Sequence, residues 1–278
     1  MNIETIDLYK YFDKDRGNAN GGYLTVYART ESKEIKTRKR PAILVIPGGG
    51  YSIVSDREGE PVALKYIDSG FVSFVLSYSV QTPYPTPLVE AMLAVMYIRD
   101  NAERYSIDKN KVCAIGFSAG GHLAGLLSTV KSREAHLINK SIKDIMPNVA
   151  VLCYPVVTMG AFTERGTSKV ITGEDASLYE KLSVEKRVDG NSAPVFIWHT
   201  FEDNCVPVEN SLMLAQAYRN NKVPFAMHIF EHGRHGLSLA DDEVCDFTED
   251  QQNLYKVGKW FDLSVDWLRA KGFKVIVK

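Results

Sequence analysis

Three short polar segments, each preceded by an apolar run, carry the residue types that acyl transfer needs. Gly116-Phe117-Ser118-Ala119-Gly120 follows Val112 to Ile115 and opens a helix-like stretch at Ala119. A serine at the tip of so sharp a strand-to-helix turn takes strained backbone angles. Small residues two before and two after it let strand and helix approach each other. His199 to Pro207, after the apolar run Ala193 to Trp198, contains Asp203, and Glu231 to Gly236, after Phe225 to Phe230, contains His235. A serine hydroxyl is a weak nucleophile at neutral pH, so an imidazole must take its proton and return it to the leaving group. A carboxylate must in turn fix the imidazole tautomer. Ser118, His235 and Asp203 are the candidates for these three roles.

Proton transfer leaves the charge of a tetrahedral intermediate unattended. Pro47-Gly48-Gly49-Gly50-Tyr51, after the strand-like run Ala42 to Ile46, supplies consecutive amides that side chains do not obstruct. By position in the motif the donors are Gly49 and Gly50, with Gly50 and Tyr51 as the shifted alternative, and Ala119 contributes the N–H that follows the nucleophile. Loss of one such donor typically costs about 3–4 kcal/mol of transition-state stabilisation.

Each assignment has a competitor. Ser118 could be an ordinary turn serine; Asp203 could merely cap a helix near Val208, and Glu202 is its neighbour; His232 stands three residues before His235. Tyr51 and His122 are candidate substrate contacts at the mouth of the site, with core packing as the alternative for each. His199 ends a strand and reads as structural, and His228 carries no catalytic inference. The scattered histidines and carboxylates show no metal-ligand spacing, and Asp241-Asp242-Glu243 reads as a solvated acidic face.

The chain order serine, aspartate, histidine is the one expected of an α/β-hydrolase. With PGGGY near residue 50, GFSAGGHLA at 116–124, DNCVPVENS at 203–211 and HGRHGLSLA at 232–240, nearly the whole chain resembles that family. Within it the chain is similar to small carboxylesterases of the acetyl esterase kind, including acetyl-xylan and feruloyl esterase-like members. Pro47 stands where the glycine motif of lipases and esterases usually has histidine. The resemblance implies a serine esterase that removes small acyl groups, acetyl among them, from carbohydrate or similar alcohol esters, with no cofactor. A peptidase or amidase on the same fold is the runner-up. A ligand-binding module on an inactive hydrolase fold is the reading from a different class.

The elements that must position these residues alternate along the chain. Strands are expected at about 23–28, 42–46, 72–78, 112–115, 149–153, 194–198 and 225–230, and helices at about 58–69, 86–104, 119–130, 207–221 and 248–270. Leu88, Ala91, Met92, Val95 and Ile98 recur at helical spacing and mark a buried face. The alternation predicts an α/β fold, a mostly parallel central sheet with helices on both faces. A last short strand is placed at Lys274 to Val277. The 278 residues form one domain, interrupted at 157–192 by either a cap over the site or a surface connection with a short helix near Ala176 to Val184.

With 33 basic and 34 acidic side chains the formal net charge is −1, so no global field favours nucleic acid or an anionic membrane. The expected partner is a small-molecule ester, and KTRKR at 36–40 reads as a solvated turn. The amino terminus has no signal-like apolar stretch and no later run is long enough to span a bilayer, which predicts a cytoplasmic protein. Cys113, Cys153, Cys205 and Cys245 are widely spaced, with free thiols expected. Neither oligomeric state nor the natural ester is fixed by the sequence.

Overall fold

The computed structural model describes the chain except residues 31–33, 35–38, 246–250, 275, 277 and 278, and describes only the backbone of 251–253. Eight strands form one sheet: β1 Asn2–Asp7, β2 Tyr23–Ala28, β3 Arg40–Ile46, β4 Val72–Ser77, β5 Ile107–Phe117, β6 Val149–Cys153, β7 Val195–Thr200 and β8 Phe225–Phe230. Their spatial order is β1-β2-β4-β3-β5-β6-β7-β8. β1 and β2 run antiparallel to their neighbours, and every other pairing is parallel. The mostly parallel sheet agrees with the alternation in the sequence; β1, an edge strand with exposed Ile3, was not expected from it.

The longer helices are α1 Glu60–Asp68, α2 Thr86–Asp100, α3 Ala119–Ser128, α4 Arg165–Thr172, α5 Glu209–Asn220, α6 Gln251–Gly258 and α7 Trp260–Ala270. Successive strand residues point to opposite faces, so the central strands supply two cores. Ala42, Leu44, Ile46, Leu152 and Ile197 pack with α2, α3 and α5, whereas Ile43, Val45, Ile115, Val151 and Trp198 pack with α1, α6 and α7. Helix α2 is buried around most of its circumference: Leu93, Ala94 and Tyr97 are enclosed together with the expected face.

The helix expected at 248–270 is two helices meeting at Lys259, and its residues 248–250 lie outside the described residues. The strand expected at 274–277 lies partly outside them as well; Ile276 donates its N–H to Ser69 O at 2.9 Å. Of KTRKR, residues 36–38 lie outside them, Lys39 pairs with Glu103, and Arg40 begins β3. The four cysteines are free thiols. Among the described residues, no helix is long and apolar enough to cross a membrane.

Because β3 and β5 to β8 are parallel, the segments that follow them emerge along one edge of the sheet. In open α/β sheets that edge is where ligands bind.

Candidate active site

Ser118 joins β5 to α3 with φ 52° and ψ −119°, a region that residues with a Cβ rarely adopt. The turn closes because Gly116 and Gly120 let backbone meet backbone. A Cβ on Gly116 would collide with the Gly120 carbonyl, and one on Gly120 with the Ile46 carbonyl. The Ser118 N–H donates to Cys153 O at 3.0 Å, which ties the turn to β6.

The structure brings Ser118, His235 and Asp203 together. His235 Nε2 lies 2.8 Å from Ser118 Oγ, and His235 Nδ1 lies 2.6 Å from Asp203 Oδ2. This is the geometry by which a serine proton can pass to an imidazole whose other nitrogen donates to a carboxylate. Asp203 Oδ1 accepts from the N–H groups of Cys205 and Val206 at 3.0 and 2.8 Å, so the local-turn reading and the histidine-partner reading each describe one oxygen. His199 Nε2 faces both Asp203 Oδ2 at 3.3 Å and Val206 O at 2.9 Å. Two acceptors require that this nitrogen carry the proton, and Nδ1 meets the Ser211 hydroxyl at 2.7 Å. Burial would raise the Asp203 pKa, but hydrogen bonds from His199 and His235, the His235 charge and the Val206 N–H outweigh it and hold the carboxyl well below the usual range.

The two competitors pair with each other. Glu202 Oε1 lies 2.9 Å from His232 Nδ1 on the exposed side of the same loops, and Glu202 Oε2 accepts the Gly233 N–H. The imidazole bonded to Ser118 is that of His235.

The glycine loop lacks the usual histidine and is held by other groups. The Gly48 N–H donates to Glu58 Oε2 at 2.7 Å, and the Tyr78 hydroxyl donates to Pro47 O at 2.9 Å. Gly49 takes φ 119°, which glycine alone adopts without strain, and its carbonyl accepts from Ser52 and Ile53. Among the described residues, none accepts a hydrogen bond from the N–H of Gly49, Gly50 or Ala119. Glu58 and Tyr78 carried no sequence signal, because the loop they hold lies 10 and 30 residues away from them.

Tyr51 and His122, expected at the mouth, are both fully enclosed. The Tyr51 hydroxyl lies 2.9 Å from His122 Nδ1, and His122 Nε2 lies 2.8 Å from Leu182 O. A carbonyl can only accept, so Nε2 carries the proton and Nδ1 accepts from Tyr51. Burial lowers the His122 pKa to about 4, with the Leu182 carbonyl opposing and Arg187 adding to the shift, so the ring is neutral at pH 7. The core-packing alternative describes both residues: with no exposed surface they cannot touch substrate, and they join the glycine loop to α3 and to the segment 157–192.

That segment contains α4, missed in the sequence, and short helices at Tyr179–Leu182 and Val184–Arg187. Asn210 Oδ1 accepts from Val157 and Thr158, and its amide donates to Phe162 O. The buried Arg187 guanidinium reaches Glu134 Oε1 at 3.2 Å and both oxygens of Thr129. At the other end, a Cβ on Gly50 would lie 3.7 Å from Thr167 Oγ1, so α4 borders the glycine loop. A cleft of about 540 Å³ opens within the segment, lined by Met159, Thr163, Arg165, Lys169 and Tyr179 among others and by none of the three triad candidates. Among the described residues, no three His, Cys, Asp or Glu side chains are placed to hold a metal ion.

Residues 26–218 match the model of the BD-FAE family. The chain belongs to the BD-FAE family. This BD-FAE chain is 41% identical over 214 residues to endo-1,4-beta-xylanase B of Butyrivibrio fibrisolvens, covering 74% of the chain and 34% of that protein. It is 29% identical over 228 residues to the acetylxylan esterase of Xylanibacter ruminicola, covering 79% of the chain and 45% of that protein. The BD-FAE chain thus spans less than half the length of these two curated relatives. Among solved structures, it is similar to the acetyl ester-xyloside bifunctional hydrolase of Caldicellulosiruptor lactoaceticus, at 35% identity and TM-score 0.81 over 97% of each chain. The carboxylesterase Cest-2923 of Lactobacillus plantarum matches at 26% identity and TM-score 0.86 over 100% of each chain. The fold is that of the α/β-hydrolases.

Proposed function

We propose that this chain is a serine carboxylester hydrolase that removes small acyl groups, acetyl first among them, from carbohydrate or other small alcohol esters. The observation that carries the reading is the hydrogen-bonded line from Ser118 Oγ through His235 to Asp203. Ser118 Oγ attacks the ester carbonyl as His235 Nε2 accepts its proton. Asp203 stabilises the imidazolium, and the proton then passes to the departing alcohol oxygen. Water, deprotonated by the same imidazole, attacks the acyl-Ser118 ester and releases the acid. The oxyanion is received by the N–H groups of Gly49, Gly50 and Ala119, since the Gly48 N–H is committed to Glu58.

Carbohydrate as the alcohol part is supported by the acetylxylan esterase and acetyl ester-xyloside hydrolase among the relatives. The segment 157–192 acts as a wall at the mouth of the site through α4, whose Thr167 lies against Gly50 of the glycine loop. The test compares turnover of acetylated xylo-oligosaccharides, aryl esters of increasing acyl length and an acetanilide. Acetyl esters should be turned over far faster than octanoyl and longer ones, with no measurable anilide cleavage. Preference for long acyl chains, or anilide turnover comparable with ester turnover, would overturn the reading.

A further inference from the structure

Glu58 is a carboxylate in a place where a charge is costly. It is only 3% exposed, and among the described residues no lysine or arginine forms an ion pair with it; the neighbouring Arg57 donates to Val244 O instead. Both of its oxygens are nevertheless used. Oε2 accepts the Gly48 N–H and Oε1 accepts the Tyr154 hydroxyl, each at 2.7 Å. The Tyr154 oxygen in turn accepts the Ser238 N–H at 2.8 Å, which leaves its own proton for Glu58. The Tyr154 ring stands edge-on to the His235 imidazole, with ring centroids 5.0 Å apart. One side chain therefore links the glycine loop, the residue after β6 that flanks His235, and the segment that follows His235.

Resting on the reading of Ser118 and His235 as nucleophile and base, the geometry points to Glu58 as a positioning residue for acyl transfer. It holds the glycine loop and the flank of His235 in one register, and its negative charge favours the imidazolium that forms as Ser118 attacks. The chemistry of its contacts selects the ionised form, because a carboxylate that accepts from two donors has no need of its own proton. Burial raises the Glu58 pKa, while the Tyr154 and Gly48 hydrogen bonds and the charges of His235 and Arg57 oppose the rise. From the other packed elements Tyr78, after β4, and Cys153, at the end of β6, also face it. His235 faces Asp203, Glu58 and, from the start of α4, Glu164.

The experiment is the pH dependence of kcat and kcat/KM for a short-chain aryl ester in Glu58→Gln, with Tyr154→Phe and Ser118→Ala alongside. Glutamine keeps the volume and can still accept from Gly48, but removes the charge. A loop displaced by a fraction of an ångström loses transition-state contacts more than ground-state ones, so kcat should fall about 10-fold or more with KM changed by less than about twofold. Removing an anion near His235 makes the imidazolium easier to deprotonate. The acid limb of kcat/KM should therefore move to lower pH, by on the order of half a unit. A purely structural glutamate would leave that limb in place. If Glu58→Gln melts well below the parent, Tyr154→Phe, which keeps the ring and removes the donor, should still lower kcat at constant KM. An unmoved acid limb in Glu58→Gln, or a loss of kcat accompanied by a proportional rise in KM, would overturn the assignment. Inactive Ser118→Ala beside wild-type-like Glu58→Gln would sink the role of Glu58 alone. Active Ser118→Ala would remove the site on which it rests.

Discussion

The elbow around Ser118 and the segment 157–192, proposed above as a wall of the site, are built by opposite means. In the elbow, backbone lies against backbone. Gly116, Gly120 and the strained Ser118 are neighbours in sequence, and almost nothing but hydrogen could replace the missing Cβ atoms. In the wall, side chains from distant segments supply the cohesion: His122 to Leu182, Arg187 to Glu134 and Thr129, and Asn210 to Val157, Thr158 and Phe162. Rigid placement of Ser118 thus comes from local sterics, whereas attachment of the segment 157–192 comes from buried polar pairs. Changes near the elbow should therefore act on rate, and changes in the wall on stability.

The largest effect should come from Asp203, the proposed acid of the triad. Asp203→Asn keeps the oxygen that accepts from Cys205 and Val206 but offers His235 an amide, which favours the wrong imidazole tautomer. Turnover of a short-chain aryl ester should fall about ten-thousand-fold, the size seen for the same change in serine proteases. Glu202→Gln, which disturbs only exposed contacts with His232 and the Gly233 N–H, should be mild. The reverse ranking would shift the acid by one residue.

In the wall the order of effects should invert. Arg187→Met leaves Glu134 enclosed with only part of its partners, since Arg133, Tyr84 and the Lys131 N–H remain. The expected loss is about 3 kcal/mol in denaturant unfolding, with kcat of the folded protein within about tenfold of the parent. A variant as stable as the parent but inactive would mean that the wall acts on chemistry directly.

The smallest effect is a pH dependence carried by His122. Its folded pKa of about 4 lies below the unfolded value of about 6.5, so in between the unfolded chain binds the extra proton. The stabilisation from keeping this ring neutral is complete above pH 6.5 and is lost as pH falls toward 4, about 2 kcal/mol of it between pH 7 and pH 5. His122→Gln should be less stable than the parent at pH 7, and the gap should narrow by about that amount at pH 5. Comparison of the two proteins cancels the carboxylates that titrate in both. A gap independent of pH would contradict a neutral, enclosed His122.

The same contrast explains what could be read from the sequence. The parallel strands, the glycine loop and the three polar segments were legible because each is a local pattern: an apolar run followed by small and polar residues where the chain must turn. Tyr51 and His122 lie next to such patterns, and their proximity in sequence suggested substrate contact. Yet a side chain's direction depends on what it meets, and these two meet each other and Leu182. The support from Glu58 was invisible for the same reason, since Tyr154 is 96 residues away. β1 escaped because, as an edge strand with Asn2, Ile3 and Thr5 exposed, it buries too little to impose an alternating pattern. α4 escaped because it is short and draws its cap from the side chain of Glu164, which accepts from Gly166 and Thr167.

The central claim, that chemistry proceeds through an ester on Ser118, is tested most directly by stopping the enzyme in acid during turnover of an aryl acetate and locating the covalent acetyl group by peptide mass spectrometry. One acetyl group is expected, on the peptide containing Ser118, formed with a stoichiometric burst of the aryl alcohol and absent from Ser118→Ala. Acetyl carried instead by the exposed Cys205, or a burst of unchanged size in Ser118→Ala, would contradict it.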